Sequence, residues 1–132
     1  MTDKIGVLVI GDHAVERKGL ISLLSASRSI SIVGEATSGD EALFMVHVTR
    51  PHVILMDQRI LHREGPGVIW RLWRESTASA ILVLGSGEEM SKATADLDAG
   101  KLGFVDRSVP LEDWVRTIRL VAGDNRSPMA PA

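Results

Sequence analysis

Five short runs of apolar residues are spaced along the chain and predict five β-strands. The first, third and fourth runs are continuously apolar, a pattern typical of parallel strands that are covered on both faces. The predicted strands are IGVLVI (Ile5–Ile10), ISIVGEA (Ile30–Ala36), HVILM (His52–Met56), AILVL (Ala80–Leu84) and LGFV (Leu102–Val105).

Segments with helical periodicity separate these strands. HAVERKGLISLLSAS places Leu20, Leu23 and Leu24 on one face, and SGDEALFMVHV opens with Ser38 and Glu41 at the spacing of a capping box. Three further segments predict helices: PGVIWRLWRES, EEMSKATADLDAG and PLEDWVRTIRLVAG. The alternation of strands and helices predicts a (βα)₅ order, right-handed crossovers and a doubly wound parallel sheet.

Composition limits the classes of protein that fit this pattern. At 132 residues the chain is predicted to form one domain, residues 1–123, followed by a tail or linker, residues 124–132. The formal net charge of −2 gives no reason to expect binding to nucleic acid or to an anionic membrane. Cysteine is absent, which excludes disulfides and thiolate sites. The sequence lacks a signal peptide and a run of transmembrane length, so a cytoplasmic protein is predicted.

Chemically active side chains follow the predicted strands. Asp12 comes shortly after the first strand, Asp57 lies at the end of the third, Gly85 and Ser86 follow the fourth, and Arg107 follows the fifth. In a doubly wound sheet, ligands bind beyond the carboxyl ends of the strands. The sequence therefore predicts that two acids, a hydroxyl group and a cation meet in one pocket.

Six segments, in their order and spacing, resemble a response-regulator receiver domain of the type joined to LuxR-type helix-turn-helix output domains. The resemblance extends from Lys4 to about Gly123 and implies a flavodoxin-like (βα)₅ sheet with strand order 2-1-3-4-5. The segments are VLVIGDHAVERKGLISLL, VGEATSGDEAL, PHVILMDQRI, ILVLGSGEE, DAGKLGFVDRS and PLEDWVRTIRLVAG.

The resemblance assigns roles to individual residues. Asp57 matches the phosphoacceptor, whose carboxylate would attack a phosphohistidine or a small phosphoryl donor, and this implies a histidine kinase as partner. Mg²⁺ would be held by Asp12, Asp57 and the backbone carbonyl of Arg59. Phe104 matches the aromatic switch position.

Several positions depart from the pattern of the resembling family. Gly11 stands where a second acid is usual, Gly85 replaces the hydroxyl residue, and Arg107 replaces a lysine. Ser86 is adjacent to Gly85, but neighbouring side chains at a strand end point in different directions. In the loop after Asp57, Leu61 replaces a proline. These departures predict weak Mg²⁺ binding and weak or absent phosphorylation.

Two of the charged residues allow alternative roles. Asp12 either holds a metal or caps the first helix, and both roles are compatible. Arg107 either binds a phosphoryl group or forms a permanent ion pair with Asp12 and Asp57. The sequence leaves both alternatives open.

The tryptophans are candidate surface residues. Trp70 and Trp73 are three positions apart on one predicted helix, so they cannot both face the core fully, and one is predicted to cover its edge. Trp114 lies beside the apolar stripe of the last helix, which commonly forms dimer surfaces in the resembling family. It is predicted either to contact a partner or to pack at the edge of the domain.

The sequence favours a signalling module over an enzyme: an atypical receiver that acts through a homodimer. It would reach DNA only through an output domain that this chain does not contain. The alternatives are a conventional phosphoreceiver that uses Asp57 and a flavodoxin-like domain that binds a small molecule. A nucleotide-binding enzyme would need a glycine-rich phosphate loop after the first strand, and GDHAVERKG contains no such motif.

Overall fold

The computed structural model describes residues 4–86 and 102–123. The strands are β1 (Ile5–Ile10), β2 (Ile30–Ala36), β3 (Val53–Asp57), β4 (Ala80–Gly85) and β5 (Leu102–Asp106). The helices are α1 (Ala14–Ser25), α2 (Gly39–Thr49), α3 (Gln58–Glu64), α4 (Gly67–Glu75) and α5 (Leu111–Val121). The helix predicted in EEMSKATADLDAG lies outside the described residues. None of the described helices combines the length and apolarity needed to cross a membrane.

The strands form one parallel sheet in the order β2-β1-β3-β4-β5, which confirms the predicted fold. In its register Asp57 lies opposite Leu84, and Gly85 lies opposite Asp106. Since all the strands run in the same direction, the carboxyl ends of β1, β3, β4 and β5 lie side by side at one edge. This edge carries the predicted site.

Apolar side chains form a core on each face of the sheet. Alternate residues of β1 divide between the two cores: Leu8 and Ile10 belong to one, and Val7 and Val9 to the other. Among the described helices, α2, α3 and α4 contribute to the first core, and α1 and α5 contribute to the second. This burial on both faces explains why the runs that form β1, β3 and β4 are continuously apolar.

The segment after Asp57 corrects the sequence analysis, because it is a helix rather than a loop. Helix α3 begins at Gln58, and Asp57 is its N-cap. In an α-helix the amide of residue 61 bonds to the carbonyl of residue 57, and a proline at 61 would lack that N–H. Leu61 retains the N–H and buries its side chain in the first core.

The start of α2 follows its predicted capping pattern with one difference. Ser38 is the N-cap, and its hydroxyl accepts a hydrogen bond from the Glu41 N–H at 3.1 Å. In a capping box the Glu41 side chain would bond to the N–H of the N-cap, Ser38. Here the Glu41 carboxylate instead accepts from the N–H of the preceding residue, Thr37, at 2.6 Å. The two side chains together satisfy two backbone N–H groups at this helix start.

Trp114 is buried rather than presented to a partner. It is 8% exposed and belongs to the second core, so the packing alternative is correct and the dimer-contact alternative is wrong. Trp70 is 49% exposed and meets Trp73 edge to face, with 5.3 Å between the ring centroids. Trp73 packs against the first core, so the two rings divide between core and edge as predicted.

Trp114→Ala is expected to lower the free energy of unfolding by about 3 kcal/mol or more, because it removes a buried ring and leaves a cavity. Trp70→Ala is the matched control and should cost less than about 1.5 kcal/mol, since much of its ring already contacts water. Urea unfolding followed by circular dichroism measures both losses. Equal losses in the two variants would contradict the buried position of Trp114.

Candidate functional site

Asp57 and Arg107 meet at the carboxyl edge of the sheet. Asp57 is the last residue of β3 and is 9% exposed. Arg107 directly follows β5, where its backbone N–H donates to the Gly85 carbonyl at 3.0 Å. The Arg107 Nη2 donates to Asp57 Oδ2 at 2.9 Å. The ends of the third and fifth strands therefore converge as the sequence predicts.

Arg59 is a second cationic partner of Asp57, in addition to the backbone carbonyl role that the family resemblance implies. Its backbone N–H donates to Asp57 Oδ1 at 2.8 Å, and its Nε donates to the same oxygen at 3.3 Å. Its Nη2 donates to Oδ2 at 3.2 Å. Together with Arg107, Arg59 engages both carboxylate oxygens, an arrangement that we call the arginine-paired state of Asp57.

Helix α3 explains why Arg59 lies over Asp57. An N-cap side chain accepts a hydrogen bond from a backbone N–H two or three residues later, and Arg59 follows Asp57 by two. Burial raises the pKa of the Asp57 carboxyl, but the hydrogen bonds from Arg59 and then from Arg107 lower it more. The pKa is therefore below its ordinary value of 3.8, and Asp57 is an anion at neutral pH.

Glu16 joins the two guanidinium groups, and sequence reasoning missed it. Its Oε1 accepts from Arg59 Nη2 and lies 3.7 Å from Arg107 Nη1. Glu16 belongs to the first turn of α1, so the available signal was an acid close to the end of a strand. Glu16, Asp57, Arg59 and Arg107 form what we call the four-residue cluster, in which two negative and two positive charges balance.

Asp12 bonds to a different arginine. Its Oδ2 accepts from Arg63 Nη1 at 2.7 Å. It does not cap α1, because His13 is the N-cap and accepts from the Glu16 N–H at 3.3 Å. The capping alternative for Asp12 is therefore wrong. The two acids predicted to share a metal, Asp12 and Asp57, pair with separate cations.

Gln58 fills the space beside Gly85. Its Oε1 accepts from the Ser86 N–H at 3.2 Å. A Cβ atom built on Gly85 would overlap the Gln58 side chain. The threonine or serine that is usual in the resembling family would therefore require Gln58 to move. The sequence identified the missing hydroxyl group but not the side chain that takes its place.

Phe104 lies in β5, opposite Val83 of β4. Its ring is half-buried and packs against the first core. Ser86 is exposed at the end of β4, beyond Gly85. The structure thus places the switch position on β5, paired with β4, whose last residue, Gly85, carries no hydroxyl group.

The residues predicted to hold Mg²⁺ do not fit the ion in this arrangement. Mg²⁺ requires oxygen ligands in near-octahedral geometry, whereas arginine nitrogens engage the carboxylates of Asp12 and Asp57. The Arg59 carbonyl lies within α3, where backbone carbonyls accept from the amide four residues later. Within residues 4–86 and 102–123, no group of three or more His, Cys, Asp or Glu side chains could hold a metal.

Comparison with known proteins identifies the family. The family model described as the response regulator receiver domain matches residues 7–119. This chain belongs to the response regulator receiver domain family. The receiver is 31% identical over 122 residues to the response regulator GacA of Pseudomonas protegens, which covers 92% of this chain and 57% of GacA. The receiver therefore spans little more than half the length of this curated relative. The receiver family functions in two-component signalling.

Solved structures share the fold of the receiver. The signal receiver domain of a NarL response regulator from Mycobacterium tuberculosis matches with a TM-score of 0.74 and 25% identity, over 92% of this chain and 98% of that one. A LuxR-family two-component response regulator from Aurantimonas matches with a TM-score of 0.79 and 20% identity, over 92% and 87% of the two chains. Receiver domains commonly bind Mg²⁺ at the phosphorylation site.

Asp57→Asn is expected to lower the free energy of unfolding at pH 7 by about 1–3 kcal/mol, because the charge that pairs both arginines is lost. Since the folded-state pKa of Asp57 is lowered, its contribution is complete above the ordinary value of 3.8 and is lost as the pH falls through the lower folded-state value. The difference between the two proteins should therefore persist at pH 5 and shrink near pH 3, as measured by urea unfolding. A more stable Asp57→Asn variant at pH 7 would contradict the arginine-paired state.

Proposed function

We propose that this receiver acts in two-component-type signalling or transcription regulation through dimerisation, with weak or absent phosphorylation of Asp57. The observation that supports this function is the arginine-paired state, in which both carboxylate oxygens of Asp57 accept hydrogen bonds from Arg59 and Arg107. The receiver keeps the position of the phosphoacceptor and surrounds it with permanent cations.

Phosphoryl transfer to Asp57 would form a bond between one carboxylate oxygen and phosphorus, while the bond from phosphorus to the donor breaks. A cation accelerates this step only if it stabilises the transition state more than the ground state. Arg59 and Arg107 already bond the carboxylate before any donor arrives, and charge-assisted bonds of this kind are strong. They therefore stabilise the ground state and should raise the barrier.

The neighbouring positions support the same proposal. Gly11 supplies no second acid, and Asp12 pairs with Arg63, so Mg²⁺ is expected to bind weakly. Gln58 fills the space beside Gly85 where a hydroxyl group would meet a phosphoryl oxygen. In the family, the aromatic ring at the Phe104 position swings inward when the hydroxyl residue moves towards the phosphoryl group. Without that hydroxyl group, phosphorylation would have no such link to the Phe104 ring. A state that exists without phosphorylation would then carry the signal.

The proposed partners follow from the family and from the coverage of the relatives. A second copy of the receiver is the main partner, in the cytoplasm, and a histidine kinase would be at most a weak phosphoryl donor. DNA would be contacted through a LuxR-type output domain. This part of the proposal is supported by GacA, of which the receiver covers 57%, and by the LuxR-family regulator that shares its fold.

Incubation with acetyl phosphate and Mg²⁺ is expected to leave little phosphate on the wild-type receiver. Loss of one well-placed charge-stabilising donor typically slows a reaction by about 10²–10³-fold, so several departures should slow transfer by about 10⁴-fold or more. The combined variant Gly11→Asp, Gln58→Ala, Arg59→Ala, Gly85→Thr and Arg107→Lys should label, because it restores the missing groups and removes those in their place. Intact-mass spectrometry reads the labelled fraction.

A matched variant isolates the contribution of the two filling side chains. With Gln58 and Arg59 retained, the changes Gly11→Asp, Gly85→Thr and Arg107→Lys alone should label less than the combined variant. Adding Asp57→Asn to the combined variant should abolish labelling. Complete labelling of the wild-type receiver within minutes would instead identify a conventional phosphoreceiver and overturn the proposal.

The wild-type receiver is expected to form a homodimer, or a monomer–dimer equilibrium, without a phosphoryl donor. Leu120 of α5 is 71% exposed, on the helix that commonly contributes to dimer surfaces in the family. Leu120→Glu should shift the equilibrium towards monomer because it places a charge in an apolar contact. Phe44→Glu on α2, where the ring is 65% exposed, is the matched control and should not. Light scattering measures both, and a strictly monomeric wild type at high micromolar concentration would refute dimerisation.

A further inference from the structure

A cleft of about 370 Å³ lies between α1 and α5, next to the four-residue cluster. Val9 and Leu84 of the sheet line it, together with Trp114 of α5 and with Leu20 and Leu23 of α1. Small-molecule sites typically have volumes of about 300–1,000 Å³ and are largely apolar, with a few polar groups that orient the ligand. The cleft has the size and the lining of such a site.

Glycines and an unburied leucine leave this space open. A Cβ atom built on Gly19 would meet no described part of the fold within 4 Å, and one built on Gly11 would meet Asp57 Cβ at 3.8 Å. Leu23, which the sequence predicts on the same buried face as Leu20, is instead 53% exposed. Burying its side chain against a ligand would remove apolar surface from water.

Part of the cleft lining is charged and includes Glu16, Asp57 and Arg107. Arg17 also lines the cleft, but it donates to the Glu35 carboxylate and to the Gly11 carbonyl. The Arg107 Nη2 bonds to Asp57, whereas its Nη1 lies 3.7 Å from Glu16 Oε1, beyond hydrogen-bonding distance. A guanidinium group binds a carboxylate through two parallel hydrogen bonds. The cleft therefore joins an apolar chamber to a group that recognises an organic anion.

The indole N–H group of Trp114 can report the binding of a ligand in the cleft. Its ring lines the cleft, and its Nε1–H group is buried with no hydrogen-bond partner among residues 4–86 and 102–123. Buried indole N–H groups usually have a partner. Because packing rather than a hydrogen bond holds the ring, a ligand against it will change the surroundings of this N–H group.

We infer that this cleft binds a small apolar organic acid, with its apolar body against Trp114 and Leu84 and its carboxylate on Arg107. The carboxylate would compete with Asp57 and Glu16 for the guanidinium group. A ligand shifts an equilibrium by its differential affinity for the two states, so binding would weaken the arginine-paired state. This regulatory consequence rests on the proposed function, whereas the binding itself does not.

The test titrates the full chain, labelled with ¹⁵N, with 2-naphthoate, which has two fused rings and one carboxylate. The indole N–H signals of Trp70, Trp73 and Trp114 are assigned by substituting each tryptophan with phenylalanine. The Trp114 signal is expected to shift saturably with a Kd of about 1 mM, typical of a ligand of this size. Trp70 and Trp73 should not respond. Naphthalene-2-methanol, the uncharged match, should bind about tenfold more weakly.

Two variants test which face of α1 contacts the ligand. Leu23→Glu introduces a negative charge into the lining and should weaken naphthoate binding about tenfold or more. Val15→Glu is the matched control, since Val15 is 77% exposed on the same helix and does not line the cleft. Arg107→Gln should remove the preference for naphthoate over naphthalene-2-methanol.

Three outcomes would overturn the inference: equal shifts at all three tryptophans, no saturation at Trp114, or equal weakening by Leu23→Glu and Val15→Glu. Acetyl phosphate labelling of the wild type tests the proposed function independently. Rapid labelling together with saturable binding at Trp114 would establish the ligand site and overturn its regulatory consequence. Absence of both labelling and binding would overturn the ligand site and leave the proposed function standing.

Discussion

The contacts between the Asp57 carboxylate and two guanidinium groups join the elements that form this edge of the receiver. A carboxylate at the end of an apolar strand loses most of its contact with water, and that loss is costly unless cations and N–H groups replace the water. Arg59 and Arg107 supply four hydrogen bonds, and Glu16 contacts both of them. These ion pairs connect four parts of the fold: strand β3, the first turn of α1, the first turn of α3 and the residue after β5.

Helix α3 links a local change in sequence to the chemistry of the site. Because residue 61 is leucine rather than proline, the chain can become helical immediately after β3, and Asp57 becomes a helix cap. The cap brings the Arg59 side chain back over the carboxylate and directs Gln58 towards Gly85. A single early helix start therefore accounts for the additional cation and for the side chain that fills the place of the family's hydroxyl residue.

The polar cluster and the apolar cleft share residues because β1, β3 and β4 end beside α1. Glu16, Asp57 and Arg107 belong to both, while Trp114 of the second core lines the apolar part. Glycine at position 19 leaves unfilled space at a point where a larger residue would project from α1. The packing that buries Trp114 thus also determines where a ligand could lie.

The sequence by itself determined the five strands, their parallel direction and the convergence of Asp57 with Arg107, because apolar runs report burial on both faces and parallel strands end at a common edge. The order of the strands in the sheet came from the resemblance to the receiver family. Only the tertiary structure decided which cation meets which acid. Asp57 and Arg107 are 50 positions apart, and Glu16 and Arg59 are 43 apart, so backbone packing brings them together. An arginine side chain is long enough to reach several acids, and no pattern along the chain specifies which one it reaches.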